Sequence, residues 1–471
     1  MFSWLGGVRF VCLIASLRPI KGGNVHLRET MLFPRMTLPL ADAVRYAKPM
    51  RRLGAWVGLV RGVAARTEAN RSEQLARALG FAEEGGLRKR IVEALQRRPG
   101  VENAEVWSQV VVRNPRYAEV IRQSPQLSRS IVLKEPGTDG EKGVLLMTFE
   151  YNWARLLLGL TDEEMGWLDE HYDLVLSTSW SPTDYAVLAL ALARTRSRLF
   201  VQSCNYSEIP SIEAFHPRLK CLETLPCDWI NPGLYEPKAA AERTTDIVMV
   251  ANWGEFKRHW ELFRALSRMP KELKVVLIGQ PEPGRSKDFI RRLARQFGAR
   301  QEIEILESVP IAEVARHQGQ AKVSVILTRR EGCCVAAVES LFAGCALAMR
   351  EDAHVGPLAY INGQTGGKLR PGRIHEDLMM LLQSAEDLQP ARWAREHLAC
   401  DRSHAKLNEL LKGEAAGAGR PWTRDLVLPQ WRPHPTFARE DEKEALRPVY
   451  EDLNRKFPQV FSPTLIDDSW R

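Results

Sequence analysis

The segment KVSVILTRREGCCVAAVESLFAGCALAM, residues 322–349, reads as a strand, a loop, a helix and a second strand. KVSVIL (322–327) is a short apolar run rich in β-branched residues, which suits a strand buried on both faces. A polar loop follows, then a helix from about Val335 to Phe342, and then ALAM (346–349). Two such strands joined by a helix pair in parallel. Upstream the unit repeats. DIVMVA (246–251) precedes a helix from His259 to Ser267, KVVLIG (274–279) one from Ser286 to Phe297, and EIEIL (302–306) one from Ala312 to Gln318. The repetition predicts a doubly wound parallel α/β domain over 233–395. A weaker set predicts a second Rossmann-like domain over 141–232: GVLLMTF (143–149), DLVLSTS (173–179), LFVQSC (199–204) and LKCLETL (219–225), with a helix from Ala186 to Ala193. The turn-rich stretch 227–245 between the two sets reads as a linker.

In open parallel sheets ligands bind beyond the carboxyl ends of the strands. The loop after KVSVIL is therefore the place to look for chemistry. It carries Glu331, and Glu339 stands eight residues on, inside the following helix. The helix N-terminus between them offers free N–H groups and partial positive charge to a phosphate. Two carboxylates accept hydrogen bonds from vicinal hydroxyls, so the combination suits a sugar nucleotide. As bland alternatives, Glu331 is an exposed loop acid and Glu339 an acid placed for the helix dipole.

EGCCVAAVESLFAGCALAM resembles the E-x7-E segment of glycosyltransferase family 4, whose common form is E-G-F-G-x-x-x-x-E-A-M-A-x-G-x-P-V. NGQTGGKL, from Asn362, is similar to that family's D/N-G-x-T-G-x-L strand, and VMVANWGEFKRHW to its V-G-R-x-x-x-x-K-G entry. NPGLYEP (231–237) resembles its interdomain linker. The resemblance covers about 227–390. It implies a GT-B fold, two Rossmann-like doubly wound domains facing a cleft, and retaining, metal-independent sugar transfer from a nucleotide sugar without a further cofactor. By the same resemblance Glu331 holds the donor sugar and Glu339 the ribose. Lys257 neutralises the leaving diphosphate, and Gly332, Cys333 and Cys334 present backbone N–H groups. Asn252, Gly254 and Pro310 complete the donor-binding set, Pro310 near the base. Arg258 and His259 read as a surface helix start.

The sequence also departs from the family. Asn252 replaces an arginine, Cys334 replaces a glycine where backbone and donor approach closely, and FEYNWARLL (149–157) stands in place of a Gly-Gly loop. The family's histidine on the acceptor side has no evident counterpart. Asn205 or Glu208 in SCNYSE is a candidate to replace it, Tyr151 and Asp184 are further acceptor candidates, and His354 and Gly356 are candidates to line the cleft. A second reading is therefore a degenerate relative that binds or scaffolds without turnover. A dinucleotide enzyme is disfavoured because no G-x-G-x-x-G follows either first strand, and no P-loop occurs.

Charge is uneven. Residues 1–140 hold 23 Lys and Arg against 12 Asp and Glu, a net of +11, and the other 331 residues hold 43 against 46, a net of −3. This N-terminal extension is predicted to be helical. Arg51, Arg52, Arg88, Lys89, Arg90, Arg97 and Arg98 stand near Trp56 and Trp107, a composition that draws anionic membrane surfaces or is simply a solvated face. Nothing resembles a nucleic-acid-binding motif. The apolar run Phe10–Leu17 is too short to span a bilayer. The eight cysteines form no C-x-x-C and point to reduced thiols in a cytoplasmic protein, peripheral to the inner membrane face if the basic region docks there. Residues 396–471 read as a tail packing back on the body.

Overall fold

The computed structural model describes residues 34–462 apart from 84, 98–99 and 432–434. Phe10–Leu17, Cys12 and Arg98 lie outside the described residues. Two sheets dominate. The first contains β1 (Ile131–Lys134), β2 (Gly143–Thr148), β3 (Tyr172–Ser177), β4 (Leu199–Gln202) and β5 (Leu219–Cys221), in the order β1-β2-β3-β4-β5. β1 is antiparallel to β2, and the other pairings are parallel. The second contains β6 (Thr245–Val250), β7 (Val275–Gly279), β8 (Ile303–Glu307), β9 (Ala321–Ile326), β10 (Ala346–Arg350) and β11 (Gly366–Leu369), all parallel, in the order β11-β10-β9-β6-β7-β8. Every residue of β2, β3 and β10 is buried, which explains their unbroken apolar runs.

The α/β architecture with two parallel sheets is the one expected as GT-B, with one difference. In the second sheet the strand order reverses between β6 and β9, which is double winding. In the first the parallel strands follow one another without reversal, so that sheet is singly wound. The short first sheet also takes in β1, ahead of residue 141, whose four apolar-to-basic residues carry no β-α signature.

Ahead of the first sheet lie helices Pro34–Tyr46, Lys48–Val63, Glu68–Phe81, Gly86–Arg97, Ala104–Val112 and Pro115–Gln123. Local caps start two of them: Thr67 accepts from the N–H of Asn70, and Asn103 from that of Val106. Helix Lys48–Val63 turns its small residues, Ala55, Gly58 and Gly62, onto helix Glu68–Phe81. A Cβ on Gly58 would lie 2.8 Å from that of Ala78. The bundle shares one apolar core with the first sheet. Of the arginines expected on its basic face, Arg51 and Arg88 are buried, as is Trp107. Arg88 donates to Ser211 Oγ (3.0 Å), to the Tyr185 hydroxyl and to the carbonyls of Leu79 and Ala82, fastening the extension to the first domain. The first helix reaches the second domain instead, where Leu38 joins its core.

The described part of the C-terminal segment packs on the linker and the first sheet. Helix Cys400–Gly417 bonds the linker through Ser403 Oγ to the Asp228 carbonyl (2.9 Å), and the Tyr450 hydroxyl, on helix Arg447–Lys456, accepts from the Val132 N–H (2.8 Å). No helix among the described residues is long and apolar enough to cross a membrane. Removing Arg88 takes away four buried hydrogen bonds at once. Arg88→Ala is expected to cost about 3 kcal/mol in urea unfolding, against less than ~0.5 kcal/mol for an exposed control such as Arg90→Ala.

Candidate functional site

The order reversal between β6 and β9 is where a parallel sheet opens a crevice. Their registered pairing, Ile247 with Val323 and Val248 with Ser324, sets the two carboxyl-end loops side by side. The loop after β6 is anchored by Trp253, fully buried, whose indole N–H donates to Glu307. Gly254 then leads into the turn Glu255–Lys257. A side chain there would press on the Phe256 ring at 2.7 Å. Lys257 Nζ forms an ion pair with Glu331 Oε1 from the loop after β9, and only 12% of either side chain is exposed. Burial lowers the Lys257 pKa, but Glu331 outweighs it, so the ammonium is held charged above its ordinary range. Glu331 Oε2 is buried with no hydrogen-bond partner among the described residues.

Asn252 spends its amide on Glu282 (Nδ2 to Oε1, 2.7 Å). Cys334 caps helix Val335–Phe342 in the left-handed region, at φ +45°, where glycine is at ease and a side chain is strained. The Cys333 and Cys334 side chains are buried, and all seven described cysteines are free thiols. Glu339 lies with Val335 and Ala336 on the partly accessible strip of that helix, the other five residues being buried. It does not join the Lys257–Glu331 pair. Its partner is the hydroxyl of Tyr235, from the linker. Burial raises the Glu339 carboxyl to about 7, against the lowering effect of that hydrogen bond. Pro310, exposed after β8 at the sheet's edge, starts helix Ile311–Gly319 and is not brought to the pair.

The expected surface helix start at Arg258 and His259 is buried instead, and this corrects the sequence reading. Arg258, at φ +63°, donates to Glu261 (2.9 and 2.8 Å) and pairs with Asp42 of the extension. Burial lowers the Arg258 guanidinium to about 10, and burial likewise takes the His259 imidazole down to about 3. Arg350 bridges Glu261 to Asp352, and Arg329 touches both Asp352 (3.1 Å) and Asp42 (3.4 Å). No helical periodicity announces this network, because its members come from four separate segments.

The first domain closes on the pair. A Cβ at Gly332 would fall 2.0 Å from the Ser179 carbonyl, and one at Gly356 2.2 Å from that of Cys204. The Trp180 ring meets Phe256 edge-on, centroids 5.8 Å apart. His354 Nε2 lies 2.9 Å from Glu208 Oε1 across the gap, and Glu208 also accepts from Ser181 and Thr183. Burial would raise the Glu208 pKa, but these partners bring it below the usual carboxylate range. The acceptor candidate Asp184 is occupied otherwise: it caps helix Tyr185–Arg194 and accepts from Tyr117.

Residues 235–389, a third of the chain, match the family model described as glycosyl transferases group 1. No curated protein matches the chain. Among solved structures it is similar to the pneumococcal O-GlcNAc transferase GtfA in complex with UDP and GlcNAc, at 12% identity and TM-score 0.42, over 59% of this chain and 57% of that one. It is similar to sucrose-phosphate synthase of Thermosynechococcus elongatus at 14% identity and TM-score 0.45, over 71% and 82%. It is similar to Staphylococcus aureus TarM at 10% identity and TM-score 0.43, over 57% and 54%. The chain thus spans little more than half the length of the first and third.

A carboxyl raised to about 7 disfavours folding once pH exceeds its unfolded value near 4.5. The stability present below that value is lost as pH rises through 7. Glu339→Gln carries no such term. Relative to the unsubstituted protein it is expected to gain about 2 kcal/mol in urea unfolding on passing from pH 5 to pH 8. An unchanged difference would show that Glu339 is not desolvated in the folded protein.

Proposed function

We propose that this protein is a glycosyltransferase that moves a sugar from a nucleotide-sugar donor to an acceptor with retention of anomeric configuration and without a metal. The observation that carries the reading is the Lys257–Glu331 pair, set at the switch point within the segment matched by the group 1 glycosyl transferase model and leaving one buried carboxylate oxygen unused. In this reading the domains 141–232 and 233–395 face one cleft.

Donor binding would exchange partners. The diphosphate takes the Lys257 ammonium, and the amides of Gly332, Cys333 and Cys334 at the helix start add donors for its oxygens. Glu331, released, accepts from hydroxyls of the sugar, and Glu339 from the ribose. Asn252 contributes hydrogen bonding without charge, and Gly254 keeps the loop close to the phosphates. Pro310 would meet the base only from the neighbouring edge of the sheet. As the glycosidic bond breaks, charge develops on the diphosphate and Lys257 meets it there, so the acceleration comes from positioning and electrostatics. Entry of a donor requires the Ser179 carbonyl to draw back from Gly332.

A second reading, binding without turnover, is favoured by Asn252, whose amide is committed to Glu282, and by the side chain at Cys334. Turnover of a panel of nucleotide sugars separates the two. The transferase reading expects product from at least one donor. It expects Lys257→Met and Glu331→Gln each to lower kcat by 100-fold or more, as removal of one preorganised charge donor does. Binding of a donor without product in every case would establish the second reading, and absence of both binding and product would overturn the two together.

A further inference from the structure

Helix Lys48–Val63 is built inside out. Its inward face consists of Arg51 and the small residues Ala55, Gly58 and Gly62. Leu59 packs on the core and Met50 is half-buried, but its other large apolar residues, Leu53, Trp56, Val57, Val60 and Val63, point the other way, at helical spacing, with Val60 and Val63 61% and 64% exposed. A helix packed on a soluble body normally turns such residues inward. The preceding helix extends the surface with Met36 and Leu40, four residues apart and 73% and 67% exposed. Of the ten exposed large hydrophobic residues among those described, seven lie on these two helices. A contiguous patch of this kind marks an interaction surface.

The charges beside the patch select the partner. Helix Lys48–Val63 contains no acidic residue, and Lys48, Arg52 and Arg61 are exposed along it, with Arg45 and Arg66 just outside its ends. The single acid of the preceding helix, Asp42, is turned inward and neutralised by Arg258 and Arg329. Arg45 lies 4.0 Å from Glu255, and the surface otherwise combines apolar side chains that include a tryptophan with the exposed cations Lys48, Arg52 and Arg61, the composition of an interfacial amphipathic helix. We propose that the paired helices Pro34–Tyr46 and Lys48–Val63 dock this protein on an anionic lipid bilayer. Apolar residues enter the acyl boundary, arginines meet the headgroups, and the Asp42 face stays against the second domain beside the Lys257 loop. The inference is independent of the donor reading, since it rests on none of the cleft residues.

The test is cosedimentation of the full chain with vesicles of phosphatidylcholine alone and of phosphatidylcholine with 30% phosphatidylglycerol. The bound fraction is expected to be at least tenfold higher on the anionic vesicles and to fall as salt is raised. Trp56→Glu with Val60→Glu should reduce it tenfold or more. Arg52→Glu with Arg61→Glu, which leaves the apolar stripe in place, should remove the salt dependence. Unchanged thermal unfolding of the second pair keeps the test valid if the first unfolds. Three results would each overturn the proposal: equal partition on both vesicle types, variants that sediment like the unsubstituted protein, or a dimer in solution that Val60→Glu splits into monomers.

Discussion

The candidate site depends on one ion pair, between Lys257 and Glu331. It exists because β6 and β9 are neighbours in a sheet whose order reverses between them, so loops 74 residues apart in sequence end side by side. Buried ion pairs are poor stabilisers, since desolvation offsets most of the attraction. A pair at the mouth of a parallel sheet with one carboxylate oxygen unsatisfied is therefore poorly explained by stability. The proposed donor reading gives it a role, as a charge arrangement that a ligand would separate.

The surroundings hold that pair in place. Directly behind Lys257, Arg258 adopts a left-handed backbone and is locked by Glu261 and by Asp42 of the extension. The first domain supplies the opposite wall, with the Ser179 carbonyl against Gly332 and Glu208 against His354. The extension is thus not an appendage. Its first helix reaches the ion network of the second domain, while its bundle shares the apolar core of the first. In the docking proposed above, a bilayer under helix Lys48–Val63 would lie one helix away from the site.

Much of this was legible in the sequence. β6, β7, β9 and β10 fall within one residue of the apolar runs, because parallel strands buried on both faces leave an unbroken signature, whereas the half-exposed edge strand β8 shows only alternating isoleucines. The helix Val335–Phe342 and the place of Glu331 follow from the same signature. The winding of the first sheet did not, since strand order is set by long-range pairing that short runs do not encode. Arg258 resembles a surface helix start because its partner Asp42 lies far away in sequence, while His259 is covered by the Trp253 ring, which meets it edge-on. The Glu208–His354 contact joins two domains, and sequence could offer its members only as separate candidates. Glu339 was placed correctly on its helix, but its partner Tyr235 lies in the linker, beyond any local pattern.

The most direct measurement is a crystal structure of the protein with a nucleoside diphosphate. The Lys257 ammonium is expected turned from Glu331 onto the diphosphate, at hydrogen-bond distance, with the Ser179 carbonyl withdrawn from Gly332. A diphosphate bound elsewhere while the Lys257–Glu331 pair stays intact would contradict it.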